Sequence, residues 1–175
     1  MIRFIIFCFS TLLFCSSCEN KVNKVELDYC EMYKKDQSFV TENSNPNLTV
    51  EENRIEREKL VIQNFNQLIQ FTREKGFPQT YFKDPEACKF WSISLTLIHT
   101  AQIQPELFFH DSTIHLFSKE LKNGRLKPEL LIPVFKISSR TNVFCKTLEP
   151  QIEKSILSWN IPTEFSNSIQ FKICQ

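Results

Sequence analysis

Three histidines in this sequence carry the side chains best suited to acid–base chemistry. His99 is a candidate general base, because the pKa of an unperturbed histidine lies near neutrality. The competing interpretation is a structural histidine at the C-terminal end of a helix. There the ring donates to a backbone carbonyl and the helix dipole favours it. We favour this structural role.

His110, Asp111 and His115 offer metal-ligating atoms within six residues. On a helix, however, residues five apart point about 140° away from one another, so the two imidazoles diverge. Phe108, Phe109 and Phe117 surround them and favour packing in a core. We therefore predict no metal site here.

Gly76 and Gly124 are the only glycines in the 175 residues. A P-loop, a dinucleotide-binding turn and a nucleophile elbow all need clustered glycines, so none of these sites can be built. No order or spacing supports a Ser-His-Asp or Cys-His arrangement. The sequence predicts no cofactor and favours a non-enzymatic role.

The cysteines divide into two groups. Cys8, Cys15 and Cys18 lie in the apolar N-terminal segment or directly after it. Four lie in the body, an even number that permits two disulfides in an exported chain with three connectivities left open: Cys30, Cys88, Cys145 and Cys174. The alternative is that several are small buried hydrophobic residues.

The N-terminus has the layout of a signal peptide. Residues 1–17 carry one basic residue, Arg3, then an apolar core and two serines. Ser16–Cys18 resembles a lipoprotein cleavage site, where the cysteine is acylated and becomes the new N-terminus. We predict a signal peptide at 1–17 and a lipidated tether at 18–24, with ordinary secretion or a retained anchor as alternatives.

The charge balance of the sequence does not favour binding to nucleic acid or to an anionic membrane surface. Removal of Arg3 with the signal leaves 20 of the 21 basic residues against 20 acidic ones, a net charge of zero. No basic stripe stands out, so nucleic acid and anionic lipid headgroups have no electrostatic argument.

Apolar periodicity predicts a mainly α fold. Thr49 is a candidate N-cap, and the glycines at 76 and 124 are helix stop signals. Residues 90–99 fit a strand or a buried helix, and we favour the helix because Asp84–Pro85 is a start signal. We expect Pro133 to kink or shorten its helix. The predicted elements are helices at 25–39, 51–75, 84–99, 105–123 and from Pro128, a further helix at 151–159, and a short C-terminal strand at 169–174.

These elements define a compact helical domain at 25–145 and a C-terminal extension at 146–175 packed on that domain. Hydrophobic residues make up 42% and charged residues 23%, which is typical of a globular chain rather than a disordered one. The 17 phenylalanines are best explained as core residues, with an exposed aromatic groove for a partner as the alternative.

The order of several short motifs resembles an uncharacterised bacterial family of helical domains that occur in secreted proteins and lipoproteins. The resemblance covers about residues 28–140 and rests on Met32–Gln37, Gly76–Pro78, Leu97–His99, Lys122–Gly124 and the helix opened by Pro128. It implies that Asp36, Gln37 and His99 belong to one polar site or one buried network. Three departures affect that inference. A glutamine usual in the long helix falls near His110. The arginine expected after Asp36–Gln37 falls on Val40, and an Asp-Arg pair expected in the last helix falls on Lys136–Ile137, with Arg140 near enough to compensate.

We therefore predict a cell-envelope lipoprotein whose helical domain is a binding or interaction module. It would be anchored to the cell membrane or outer membrane through Cys18, face the periplasm or exterior, and bind a protein partner in the envelope. The alternative is a hydrolase-like enzyme with a polar site around Asp36 and His99, degenerate in this chain.

Overall fold

The computed structural model describes residues 27–38, 47–79, 87–141, 143–166 and 169–174. The predicted signal peptide, Cys18 and the tether lie outside the described residues. So do Val40 and the start signal at Asp84–Pro85.

Helices dominate the described residues, so the predicted mainly α fold with a short C-terminal strand is confirmed. The elements are α1 Tyr29–Ser38, α2 Val50–Lys75, α3 Ala87–Ile103, α4 Pro105–Phe108, α5 Asp111–Lys122, α6 Pro128–Thr141, β1 Val143–Cys145, a 3₁₀ turn Lys146–Leu148, α7 Glu149–Trp159, α8 Thr163–Ser166 and β2 Gln170–Lys172. Among these residues no helix combines the length and apolar composition needed to cross a bilayer.

Local signals set the ends of α2 as predicted. The Thr49 N–H donates to the Glu52 carboxylate at 2.7 Å, and the Glu52 N–H donates to the Thr49 hydroxyl at 3.2 Å, which is a capping box. At the other end the Gly76 N–H donates to the Thr72 carbonyl. All three contacts join residues three or four apart, so the local sequence determines them.

The ambiguous segment at 90–99 is helical and belongs to α3. Ile93, Leu97 and Ala101 on this helix are 0–1% exposed, and Thr100 is fully covered. α3 packs against α1, α2 and α6, and a helix covered by neighbours on several faces is expected to be apolar nearly all round.

The prediction of a single helix at 105–123 is wrong, because the structure has two helices there, α4 and α5. His110 takes an extended conformation (φ −64°, ψ 143°), and its ring accepts a hydrogen bond from the Ser112 N–H. It is therefore the N-cap of a new helix. Pro133, predicted to kink or shorten its helix, does not shorten it, since α6 continues to Thr141.

The C-terminal residues share the core of the predicted domain. β2 pairs in parallel with β1, so Phe171 lies beside Phe144. The connection between the strands runs through α7, as a parallel pair requires. Ile152 and Trp159 of α7 are 0% and 1% exposed within this core.

Aromatic rings fill the centre, as predicted from the phenylalanine count. Trp159 contacts Phe108, Phe109, Phe117 and Phe135, with ring centroids 5.8–6.4 Å apart. All five residues are at most 1% exposed. Edge-to-face geometry predominates among these and neighbouring pairs, and such pairs add to the hydrophobic gain of burial.

Gly76 and Gly124 provide a matched pair of stability tests. At Gly76 (φ +84°, ψ 166°) an added Cβ would lie 2.5 Å from Arg125 Nε, whereas at Gly124 (φ +68°) it would meet open space. We expect Gly76→Ala to lower the free energy of unfolding by about 2–3 kcal/mol and Gly124→Ala by about 1 kcal/mol. Urea denaturation measures both. Equal losses would show that the Arg125 side chain moves aside and that backbone strain alone decides the cost.

Candidate functional site

The structure brings together the three residues named by the family resemblance. His99 Nδ1 on α3 lies 2.8 Å from Asp36 Oδ1 on α1, and Gln37 Nε2 donates to Asp36 Oδ2 at 3.2 Å. A carboxylate only accepts hydrogen bonds, so Nδ1 of His99 carries the hydrogen in this pair. The structural role predicted for His99 is wrong in one detail, because its partner is a carboxylate and not a backbone carbonyl.

The Asp36–His99 pair lies in the interface between α1 and α3, and further contacts also join these two helices. A disulfide joins Cys30 to Cys88 with their Cα atoms 5.0 Å apart, near the start of both helices. Beside it the Lys89 ammonium lies over the Tyr29 ring, 5.4 Å from its centroid. Burial raises the pKa of Tyr29 to about 12. α1 thus runs parallel to α3, with the disulfide near its start and the Asp36–His99 hydrogen bond near its end.

This geometry has two chemical uses. A carboxylate that holds one imidazole nitrogen orients the ring and fixes its tautomer, as in general-base sites. A buried hydrogen-bonded pair also fixes how two helices pack.

The Asp36 and His99 side chains are only 7% and 11% exposed. Five cavities on the described surface, of about 170–500 Å³, are lined by other residues.

The core position predicted for His110 and His115 is wrong, since both are exposed on α5 or at its N-cap. The predicted core position went with a single unbroken helix at 105–123, which the structure does not contain. Among the described residues no group of three His, Cys, Asp or Glu side chains is arranged to hold a metal ion.

All four cysteines of the body are paired in the structure. Besides Cys30–Cys88, a second disulfide joins Cys145 to Cys174, with Cα atoms 5.4 Å apart next to the β1–β2 pair. The two bridges close loops with sequence separations of 58 and 29. Sequence left three connectivities open, and only the fold selects one.

One charged cluster has no clear sequence signal. Glu120 is 1% exposed and accepts two hydrogen bonds from the Arg125 guanidinium, at 2.6 and 2.8 Å, and one from the Phe77 N–H at 2.8 Å. Arg125 lies five residues beyond Glu120, a spacing at which helical side chains do not meet. The glycine turn that follows α5 brings the two together, and the cluster ties the end of α2 to the end of α5.

The Glu120 cluster predicts a pH dependence of stability. The Arg125 hydrogen bonds, and then the Phe77 N–H, hold the pKa of Glu120 below its ordinary value of 4.5. A lowered folded-state pKa stabilises the fold above the unfolded pKa, and this contribution is lost as the pH falls. Between about pH 5 and about pH 3 we therefore expect the wild type to lose more unfolding free energy than Glu120→Gln. Glu106→Gln, at an exposed carboxylate, is the control and should follow the wild type; parallel curves for all three would contradict the assignment.

Comparisons of this chain with protein-family models, with curated proteins and with solved structures found no match.

Proposed function

We propose that this chain is a lipid-anchored cell-envelope protein whose helical body serves as a binding or interaction module. The observation that carries the proposal is the pairing of all four body cysteines in two disulfides. Disulfides persist in oxidising compartments such as the periplasm and the cell exterior. Export is also what the signal-type segment at 1–17 and the small residues before Cys18 indicate.

The character of the Asp36–His99 interface supports binding over catalysis. Both side chains are largely covered, and each satisfies the other within a helix interface. A general base has to reach a substrate proton directly or through one water. None of the five cavities named above has Asp36 or His99 in its lining.

Mass spectrometry of the mature protein tests the anchor. We expect an N-terminus at Cys18 that carries acyl chains, and a Cys18→Ser variant that is not acylated and is lost from the membrane fraction. A mature chain with an unmodified Cys18 would refute lipidation. The protein would then be secreted or held by an uncleaved segment.

A pull-down from native membranes tests the module. The protein with both disulfides intact is the bait, and a lipid-anchored protein of unrelated fold is the control. We expect at least one envelope protein to be retained by the bait and not by the control. Equal retention by both would count against an interaction module.

The enzyme alternative rests on one observation, the 2.8 Å bond between His99 and Asp36. It predicts hydrolysis of a chromogenic ester that His99→Gln abolishes without lowering thermal stability. A loss of stability in this variant without any hydrolysis by the wild type would reject the alternative.

A further inference from the structure

A cavity of about 500 Å³ opens between α2 and the junction of α4 and α5. We call it the α2–α5 cavity. Its apolar lining comes from Phe65 and Ile69 of α2 and from Leu107 of α4. Phe65 is fully buried and Ile69 is 8% exposed, so these walls belong to the packed core and are held rigidly.

Polar side chains of α2 form one rim. Asn66, Gln70 and Arg73 recur at i, i+4 and i+7, so they stand on one face of the helix, beside the buried Phe65 and Ile69. Arg73 lies in the last turn of α2, where the helix dipole favours a cation. Within the described residues its guanidinium makes no hydrogen bond or ion pair, so five donors remain available to a ligand.

The opposite rim comes from the α4–α5 junction. His110 Nδ1 accepts the Ser112 N–H at 3.2 Å and lies 2.9 Å from the Ser112 hydroxyl. Because Nδ1 acts as an acceptor there, the neutral ring carries its hydrogen on Nε2, which has no hydrogen-bond partner among the described residues. The Ser112 N–H already donates to this ring, so it is not available to a ligand.

The lining contains Arg73 and His110 and no carboxylate. Asp111, the next residue along, pairs with Lys154 at 2.6 Å, and Glu74 accepts from Gln70. Gln70 lines the cavity, so the Glu74 carboxylate lies at its rim, but among the described residues neither of these two acids forms an ion pair with Arg73. A cavity with an apolar floor and one uncompensated guanidinium favours a ligand with both an apolar body and an anionic group.

We propose that the α2–α5 cavity binds a small amphipathic anion, whose carboxylate, sulfonate or phosphate pairs with Arg73 while its apolar part covers Phe65, Ile69 and Leu107. This ligand class makes the proposed binding module more specific. It rests on the proposed function only in assuming that the helical body binds a ligand and does not catalyse a reaction. The assay below uses purified protein, so a failed membrane pull-down leaves its outcome unchanged.

Fluorescence titration with anilinonaphthalene sulfonate, an aromatic anion, tests the site. We expect Arg73→Gln to lower the affinity for this probe about tenfold, because a charge-assisted hydrogen bond to the sulfonate is lost. The uncharged analogue phenylnaphthylamine should bind wild type and variant within about twofold. His110→Asn keeps a side chain able to cap α5 but removes the imidazole, and should weaken the sulfonate without unfolding the protein.

Two variants control for other binding modes. Lys75→Gln removes a cation from the same end of α2 but outside the cavity, and should leave the affinity unchanged. Leu157→Gln alters the separate apolar groove between α7 and β2, where Leu157 is 81% exposed. If Arg73→Gln and Lys75→Gln lower the affinity for the probe equally, the sulfonate is attracted only by the general positive charge at this end of α2. Loss of the probe on Leu157→Gln but not on Arg73→Gln would move the site to that groove, and either result would overturn the proposal.

Competition separates an amphipathic ligand from a bare anion. Octanoate should displace the sulfonate probe from the wild type, whereas acetate at the same concentration should not. Equal displacement by the two would show a simple anion site and contradict the role assigned to the apolar floor.

Discussion

Replacing both Cys30 and Cys88 with serine is expected to lower the free energy of unfolding by about 4 kcal/mol. The estimate comes from the entropy that a loop of this size regains in the unfolded chain. Small domains are stable by only about 5–15 kcal/mol, so the variant should be close to unfolding at physiological temperature. Chemical denaturation under oxidising conditions measures the difference.

The second disulfide supplies the matched control. Cys145→Ser with Cys174→Ser opens a loop half as long and should cost slightly less, about 3.5 kcal/mol. The two variants differ more in where protection is lost. α1 has ten residues, too few for a stable isolated helix, so the first variant should lose hydrogen-exchange protection in α1 and the second near the β1–β2 pair. An unchanged denaturation midpoint in the first variant would mean that Cys30 and Cys88 are not bonded in the native protein.

Asp36→Ala is expected to cost about 3 kcal/mol, because it leaves the buried His99 ring without its partner. Asp36→Asn keeps an oxygen acceptor for the His99 N–H and should cost about 1 kcal/mol. Thermal and urea unfolding measure both variants. This order of effects follows from a structural pair, and it is independent of any catalytic role.

A double variant sharpens the test. Asp36→Val combined with His99→Leu removes both polar groups and fills the space with apolar atoms, which is often nearly neutral for a buried pair. We therefore expect it to be more stable than Asp36→Ala alone. If Asp36→Ala leaves stability unchanged, the pair does not hold α1 to α3, and the enzyme alternative becomes the better explanation of the 2.8 Å bond.

The α4–α5 break shows how a sequence pattern fails at a cap. Leu107, His110, Ile114 and Phe117 fit one helical stripe, and the pattern gives no reason to interrupt it. In the structure Ile114 and Phe117 do face the core, but His110 is outside and caps α5. A histidine is an uncommon N-cap, and its capping role depends on a backbone turn that periodicity does not reveal.

Only one strand of the short parallel sheet has a signal in the sequence. Residues 169–174 predict a strand, whereas Val143–Cys145 carries no comparable sequence signal. Its pairing with β2 depends on α7 carrying the chain back beside it, which is a long-range event.

The sequence by itself determined the helical class, the capping box of α2, the glycine stops and the aromatic core. These follow from contacts between residues at most a few positions apart, or from composition. The tertiary structure alone decided that Cys30 meets Cys88, that Asp36 meets His99 across 63 residues, and that Arg73 and His110 face one cavity. Such pairings depend on how whole helices pack, and a single sequence does not encode that packing in any local pattern.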